Sequence, residues 1–243
     1  GSWNSVLGTT LVLNGKSPSL IHDPGGIVYS HRSPDGEWLP GGASSAGAGA
    51  FQRIFAAGTD LDVLSHQAER HRGRPAPVYP LASASGERFP FIAPDATLSL
   101  PQASAIDPVD AYRSVSFGLG AVERLCFDYL GAAGFPIQGS VSLAGGGARS
   151  GFLNGLRATM LNRELIVPEI AEPAIGMALL VSTIERSLSD ASRDMIRIAQ
   201  RIDPDTSRRA EPDDYYATFV ADLQAKGWLS STLAHQARRR MNA

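Results

Sequence analysis

Trp3-Asn4-Ser5-Val6-Leu7-Gly8-Thr9-Thr10-Leu11-Val12-Leu13 is the stretch on which the fold turns. Two short β-type runs, rich in branched and apolar residues, are broken by one glycine and two threonines. A tight turn at Gly8-Thr9-Thr10 would aim backbone N–H groups outward beside two hydroxyls, a nest of donors suited to phosphate oxygens. Taken by itself, the same stretch also reads as a plain hairpin turn.

Working outward, residues 27–31 read as a third strand and Ser33-Pro34-Asp35-Gly36 as a turn. Trp38-Leu39 follows as a short returning strand, which completes an antiparallel meander. Residues 44–57 and 61–72 are predicted helices. Residues 73–108 read as an ordered surface excursion, because they carry Tyr79, Phe89, Phe91 and Ile92. Asp107-Pro108 has the chemistry of a helix start, an N-cap followed by proline at the first helical position. The long helix after it runs to the glycines at 131–134. Then come a strand at 141–143, a triple-glycine turn, a helix at 151–161, a strand at 165–167 ended by Pro168, and a helix at 171–185. The tail from residue 188 reads as three amphipathic helices separated by Asp203-Pro204 and Gly227.

Strand–helix–strand units imply parallel pairing with crossovers on the sheet faces. A β-meander followed by two such units describes an α/β, ribonuclease H-like fold, the fold of actin, the heat-shock ATPases and the sugar kinases. Helices are expected on both faces, with further helices at the C-terminal end. A dinucleotide fold would alternate from its first strand.

Composition narrows the function classes. The 243 residues carry 22 Lys+Arg against 24 Asp+Glu, a formal net charge of −2. That leaves no basic footprint for nucleic acid and no polybasic membrane anchor. No run approaches the roughly 18 apolar residues of a membrane span. Cys126 is the only cysteine, so no intrachain disulfide forms and a reducing, cytoplasmic setting is expected. It falls on the apolar side of the long helix and reads as a small buried hydrophobe.

Two further glycine turns join the hairpin as candidates. In Leu39-Pro40-Gly41-Gly42-Ala43-Ser44-Ser45 a strand end reads as meeting two glycines and then a helix start, where free N–H groups suit a phosphate; a serine N-cap with a flexible entry is the alternative reading. In Val141-Ser142-Leu143-Ala144-Gly145-Gly146-Gly147-Ala148-Arg149-Ser150 a strand meets three glycines and then a helix. This is neither G-x-G-x-x-G nor a P-loop. Three glycines would let an adenine or ribose lie against the backbone. All three turns fall at ends of successive sheet elements, where an open α/β sheet builds its crevice.

The motifs, in this order, resemble the C-terminal, ATP-binding domain of the FGGY family of carbohydrate kinases over nearly the whole chain. The run from Trp3 to Leu13 is similar to that family's phosphate-binding hairpin, and Gly86-Glu87-Arg88-Phe89-Pro90-Phe91 to its Gly-Glu-Arg-x-Pro segment. Gly145 to Ser150 resembles its adenosine motif, and Glu172-Pro173-Ala174-Ile175-Gly176-Met177-Ala178-Leu179-Leu180 its closing helix. Trp3 to Thr10 and Trp38 to Ser44 are similar to a plant and cyanobacterial branch that phosphorylates D-ribulose and was long labelled xylulose kinase.

The resemblance implies ATP and Mg²⁺ as cofactors, with Gly8, Thr9 and Thr10 cradling the β- and γ-phosphates. It places Gly41 and Gly42 near the terminal phosphate, and Gly145, Gly146 and Gly147 against the adenosine. Ser150 and Leu153 stand where relatives often carry asparagine and tryptophan. Gly155 and Thr159 replace a frequent glutamine and aspartate, departures that would loosen the grip on adenine. It also implies that the general-base aspartate and the sugar contacts belong to an N-terminal part upstream of the hairpin. Residues 1–243 would then be the nucleotide half of a pentulose kinase, with 188–243 as a helical extension and a homodimer as a possible assembly. Alone it would bind ATP or ADP without transferring phosphate. A non-catalytic, actin-like assembly or regulatory module is the alternative. Glu87-Arg88 reads as a structural ion pair, the histidines show no metal-ligand spacing, and Trp3 and Trp38 read as core or cleft-wall residues.

Overall fold

Trp3, Ser5 and Leu7 are buried while Asn4 and Val6 between them are half-buried, the period of two that marks a strand covered on one face. The computed structural model describes residues 2–84, 86–98 and 106–241. Within them β1 (Trp3–Leu7) and β2 (Leu11–Gly15) form the expected antiparallel hairpin, with Leu7 opposite Leu11. β3 (Tyr29–Arg32) and β4 (Trp38–Ser44) complete the meander, β4 pairing with β2 as well.

The β3–β4 turn is pinned by Lys16, whose ammonium reaches Asp35 at 2.7 Å and also Glu37. The Lys16 hydrogen bond, helped by Ser33, lowers the Asp35 carboxyl from its ordinary 3.8 to about 2. A carboxylate lowered on folding stabilises the fold above its unfolded value, and that contribution disappears as pH falls from 3.8 towards 2. Lys16→Met is therefore expected to return the Asp35 titration towards 3.8, read by NMR of its side-chain carbonyl. An unchanged midpoint would show that the lysine is not the cause.

β4 is longer than the sequence reading. It runs through Gly41, Gly42 and Ser44, and α1 (Gly49–Ile54) begins five residues beyond the predicted start. The paired backbone of β2 overrides the local appearance of a glycine-rich helix entry: Leu13 stands opposite Gly42 and Asn14 opposite Gly41. α2 (Leu61–Arg70) follows, capped by Asp60. The excursion after it is ordered where described: Tyr79 and Phe89 are each 1% exposed. Ile92 departs from that expectation at 66% exposed, and residues 99–105 of the excursion lie outside the described residues.

Asp107 accepts from the N–H groups of Val109 and Asp110 and starts α3 (Pro108–Ala132), as its sequence predicts. Cys126 is fully buried on this helix, and burial pushes its thiol well above the usual range. β5 (Val141–Ala144) pairs parallel with β1, and α4 (Gly151–Leu161) connects it to β6 (Leu165–Pro168), again parallel. α3 and α4 cover the face of the sheet that bears Trp3, Ser5 and Leu7. Phe127 meets Trp3 edge-on at 5.7 Å, and Arg157 reaches the Ser5 hydroxyl at 2.8 Å.

α5 (Pro173–Ser182) and α6 (Leu188–Met195) precede an element the sequence reading missed. β7 (Ile198–Ile202) adds antiparallel to β6 and completes a seven-stranded sheet of order β3-β4-β2-β1-β5-β6-β7. Ile198 and Ile202, four apart, fit a helical stripe as well as a strand, so their spacing could not decide. α7 (Ala210–Ala225) and α8 (Ser231–Met241) then pack on α3, so the tail holds its three helices and a strand besides. Tyr216 donates to Asp128 at 2.7 Å, and Arg124 pairs with Asp213 at 2.6 Å. Residues 242 and 243 lie outside the described residues.

Candidate functional site

Parallel pairing of β1 with β5 brings two of the three glycine turns together. Val6 stands opposite Ala144, so the hairpin tip and the triple-glycine turn leave the sheet side by side. Gly145 lies so close to β1 that a Cβ there would come within 2.6 Å of the Leu7 carbonyl oxygen, and its φ of +83° is glycine territory. Gly147 is pressed on the Leu7 side chain, where a Cβ would meet Cδ2 at 2.5 Å. Gly146 is exposed and faces open space.

At the hairpin tip Gly8 N–H donates to the Thr10 carbonyl at 3.1 Å. The N–H groups and hydroxyls of Thr9 and Thr10 make no hydrogen bond among the described residues, and Thr9 is exposed. Four donors thus stand free on one tight turn. That donor set fits phosphate oxygens, and the bare backbone at Gly146 beside it admits a flat group. Among the described residues no group of three or more His, Cys, Asp or Glu side chains could hold a metal ion.

Gly41 and Gly42 are not part of this cluster, which corrects their expected place near a terminal phosphate. Both are buried inside β4. A Cβ on Gly42 would meet the Phe89 ring at 2.6 Å, and one on Gly41 would meet the Leu13 carbonyl oxygen at 2.7 Å. These glycines are small because a ring and a strand press on them. The glycines that do touch the hairpin are Gly47 and Gly49. A Cβ on Gly47 would overlap the Thr9 carbonyl, and one on Gly49 would lie 2.8 Å from the Thr9 methyl. Ala48 N–H donates to the Gly8 carbonyl and Gly49 N–H to the Thr9 carbonyl, both at 3.0 Å. The run Gly47-Ala48-Gly49-Ala50, all small residues just after a strand, was the available signal.

Ser150 lies beside the triple-glycine turn but its hydroxyl is engaged. It caps α4 by accepting from Leu153 N–H at 3.1 Å, and it meets the hydroxyls of Ser65 at 2.9 Å and Tyr112 at 3.0 Å. Leu153 is 1% exposed and belongs to the core, so it lines no open site. Asn154, unremarked in the sequence, holds the turn instead: its amide donates to the Ala148 carbonyl at 2.7 Å. Glu87 and Arg88 make no ion pair with each other. The Arg88 guanidinium donates to the Ala43 carbonyl at 2.9 Å, while the Glu87 carboxylate collects hydroxyl and backbone donors.

The sheet with its two adjoining turns agrees with known proteins. Residues 4–183 match the family model described as the FGGY family of carbohydrate kinases, C-terminal domain. Among solved structures, a xyloylose kinase from Brucella ovis superposes with a TM-score of 0.78 at 24% identity, covering 93% of this chain and 48% of that one. A ligand-bound xylulose kinase from Lactobacillus acidophilus gives 0.76 at 17% identity, covering 93% and 47%. Plasmodium falciparum glycerol kinase with ADP gives 0.69 at 15% identity, covering 90% and 46%. The chain therefore spans about half the length of these relatives, and at such identities the likeness speaks for the fold. The family model covers well over half of the chain, and the chain belongs to the FGGY family of carbohydrate kinases through the C-terminal domain of that family.

Proposed function

We propose that this chain supplies the nucleotide site of an ATP-dependent carbohydrate kinase. The carrying observation is the pair of adjoining turns, one presenting four free donors and the other a bare glycine backbone pressed on Leu7. The β- and γ-phosphates lie over Gly8, Thr9 and Thr10, and the adenosine lies along Gly145, Gly146 and Gly147. Preorganised N–H and hydroxyl donors of this kind stabilise charge on a transferring phosphoryl group without reorganising during the reaction. Mg²⁺ would neutralise phosphate charge in such a reaction and would arrive with the phosphates, as none of the donors on these turns is a carboxylate.

The acceptor is a pentulose, D-ribulose or D-xylulose in type. Support comes from the likeness of Trp3 to Thr10 to the ribulose-phosphorylating branch and from neighbours named as xylulose kinases. A base must take the proton of the acceptor hydroxyl. No carboxylate among the described residues stands on either turn, and the family resemblance puts that base in a part upstream of the hairpin, so the chain alone binds nucleotide without turning it over.

Calorimetry of the 243-residue chain with ATP, ADP and NAD tests this reading. Binding of ATP and ADP but not NAD is expected, with no ADP release on adding either pentulose. Failure to bind any adenine nucleotide would overturn the site, and sugar-dependent ADP release would overturn the division of labour.

A further inference from the structure

The Glu87 carboxylate is 3% exposed and makes no ion pair among the described residues, the Arg88 guanidinium turning instead to the Ala43 carbonyl. Five donors take the place of a cation. Oε1 accepts from the N–H groups of Ser45 at 2.7 Å, Arg88 at 2.8 Å and Phe89 at 3.2 Å. Oε2 accepts from the hydroxyls of Ser44 at 2.7 Å and Tyr79 at 2.5 Å. A buried carboxylate held this way is costly to disturb, because each donor it loses is left unsatisfied in the core.

Two of those donors begin the segment that carries the hairpin tip. The Ser44 hydroxyl also accepts from Ala46 N–H at 3.0 Å, so residues 44–46 are fixed on the carboxylate. From there the Ala46 carbonyl accepts from Leu11 N–H at 2.7 Å. Ala48 and Gly49 N–H groups donate to the Gly8 and Thr9 carbonyls. Outside the β-ladder, the backbone hydrogen bonds that tie Gly8, Thr9 and Leu11 to a neighbouring segment among the described residues run to the stretch that Glu87 anchors. We propose that Glu87 is a positioning residue for the phosphate end of the site: it sets Gly8, Thr9 and Thr10 through residues 44–49 and touches no ligand itself. This rests on the nucleotide reading above.

The two oxygens differ in what they demand. Oε1 faces three backbone N–H groups, which can only donate, so an acceptor is required there. Oε2 faces two hydroxyls, which can turn and accept. Glu87→Gln keeps that acceptor, with its amide oxygen on the backbone side, but its amide nitrogen towards the hydroxyls can only donate and leaves their two hydrogens without an acceptor. Glu87→Asp withdraws the carboxylate by about 1.5 Å, one carbon–carbon bond, and cannot span both sets.

Wild type, Glu87→Gln, Glu87→Asp and Ser44→Ala are titrated with ATP–Mg²⁺ and with adenosine, with circular dichroism as the check on folding. Glu87→Gln, which keeps the acceptor for the three backbone N–H groups, should lose less ATP affinity than Glu87→Asp, with adenosine unchanged. Glu87→Asp should lose about tenfold in ATP affinity, the size of one charge-assisted hydrogen bond, with adenosine unchanged. Ser44→Ala should shift in the same sense and carries the test if the aspartate variant does not fold. Equal losses for ATP and adenosine, or none, would overturn the proposal. Amide exchange at Leu11, Ala48 and Gly49 gives a ligand-free reading, and faster exchange in Ser44→Ala and Glu87→Asp is expected. Unchanged exchange there overturns the positioning role, whereas a wild type that binds neither ligand overturns the nucleotide reading instead.

Discussion

Arg157→Leu is expected to destabilise the fold by about 3–5 kcal/mol, the cost of leaving one buried charge without its partner. Arg157 and Glu123 are each 1% exposed, and they meet through two hydrogen bonds of 2.6 and 2.9 Å. The same guanidinium donates to Ser5 on β1 and approaches Asn154, whose amide holds the triple-glycine turn. The leucine variant removes the cation and leaves the Glu123 carboxylate in the core between α3 and α4. At this chain length that loss lowers the melting temperature by roughly 6–20 °C. Arg157→Leu combined with Glu123→Leu should recover most of it, because an apolar pair can replace a buried ion pair at little cost. Equilibrium urea unfolding of the single and double variants decides the matter. A single-variant loss below about 1 kcal/mol, the range of a surface pair, would contradict the burial of this one.

Gly47→Ala is expected to weaken nucleotide binding by about 10²-fold, whereas Gly42→Ala should leave the affinity of the folded chain unchanged. The first methyl would overlap the Thr9 carbonyl and crowd the Thr10 backbone, so the hairpin tip itself must move. A displacement of about 1 Å at a preorganised site is enough to cost about 10²-fold. The second methyl meets the Phe89 ring, away from the tip, and should cost about 1–3 kcal/mol of stability through overpacking. Paired measurements of ATP affinity and thermal midpoint separate the two effects. Intact binding in Gly47→Ala would remove Gly47 from the site, and lost affinity in folded Gly42→Ala would restore Gly42 to it.

These predictions mark how far the residues alone could be read. The hairpin from Trp3 to Gly15, the α3 start at Asp107-Pro108 and the turn from Gly145 into α4 were legible, because each rests on local chemistry: branched runs, a cap and glycine torsions. The assignment of Gly41 and Gly42 failed because pairing with β2 and contact with Phe89 are tertiary facts. A glycine beside a strand end looks the same whether a ligand or a ring comes close to it. Leu153 failed for a related reason: a position carried over by resemblance says nothing about which side of α4 faces the core. Glu87 was legible as structural but not as the anchor of Ser44 and Ser45, more than 40 residues away in the chain. The Arg157–Glu123 pair spans 34 residues and was equally hidden.

β7 has a consequence for how molecules of this chain meet each other. It is one of the two outermost strands, with β3 at the opposite margin. An outermost strand exposes unpaired backbone groups that another molecule can extend into a fibre. Both margins here are short, five and four residues, and both carry arginine, Arg201 and Arg32. Arg201 is held at 3.0 Å by Glu164, and the pairing of β7 with β6 slips between Val167 and Pro168. A strand arriving from a second molecule would find a brief, charged and irregular template. The last strand of the sheet thus guards the chain against edge-to-edge polymerisation.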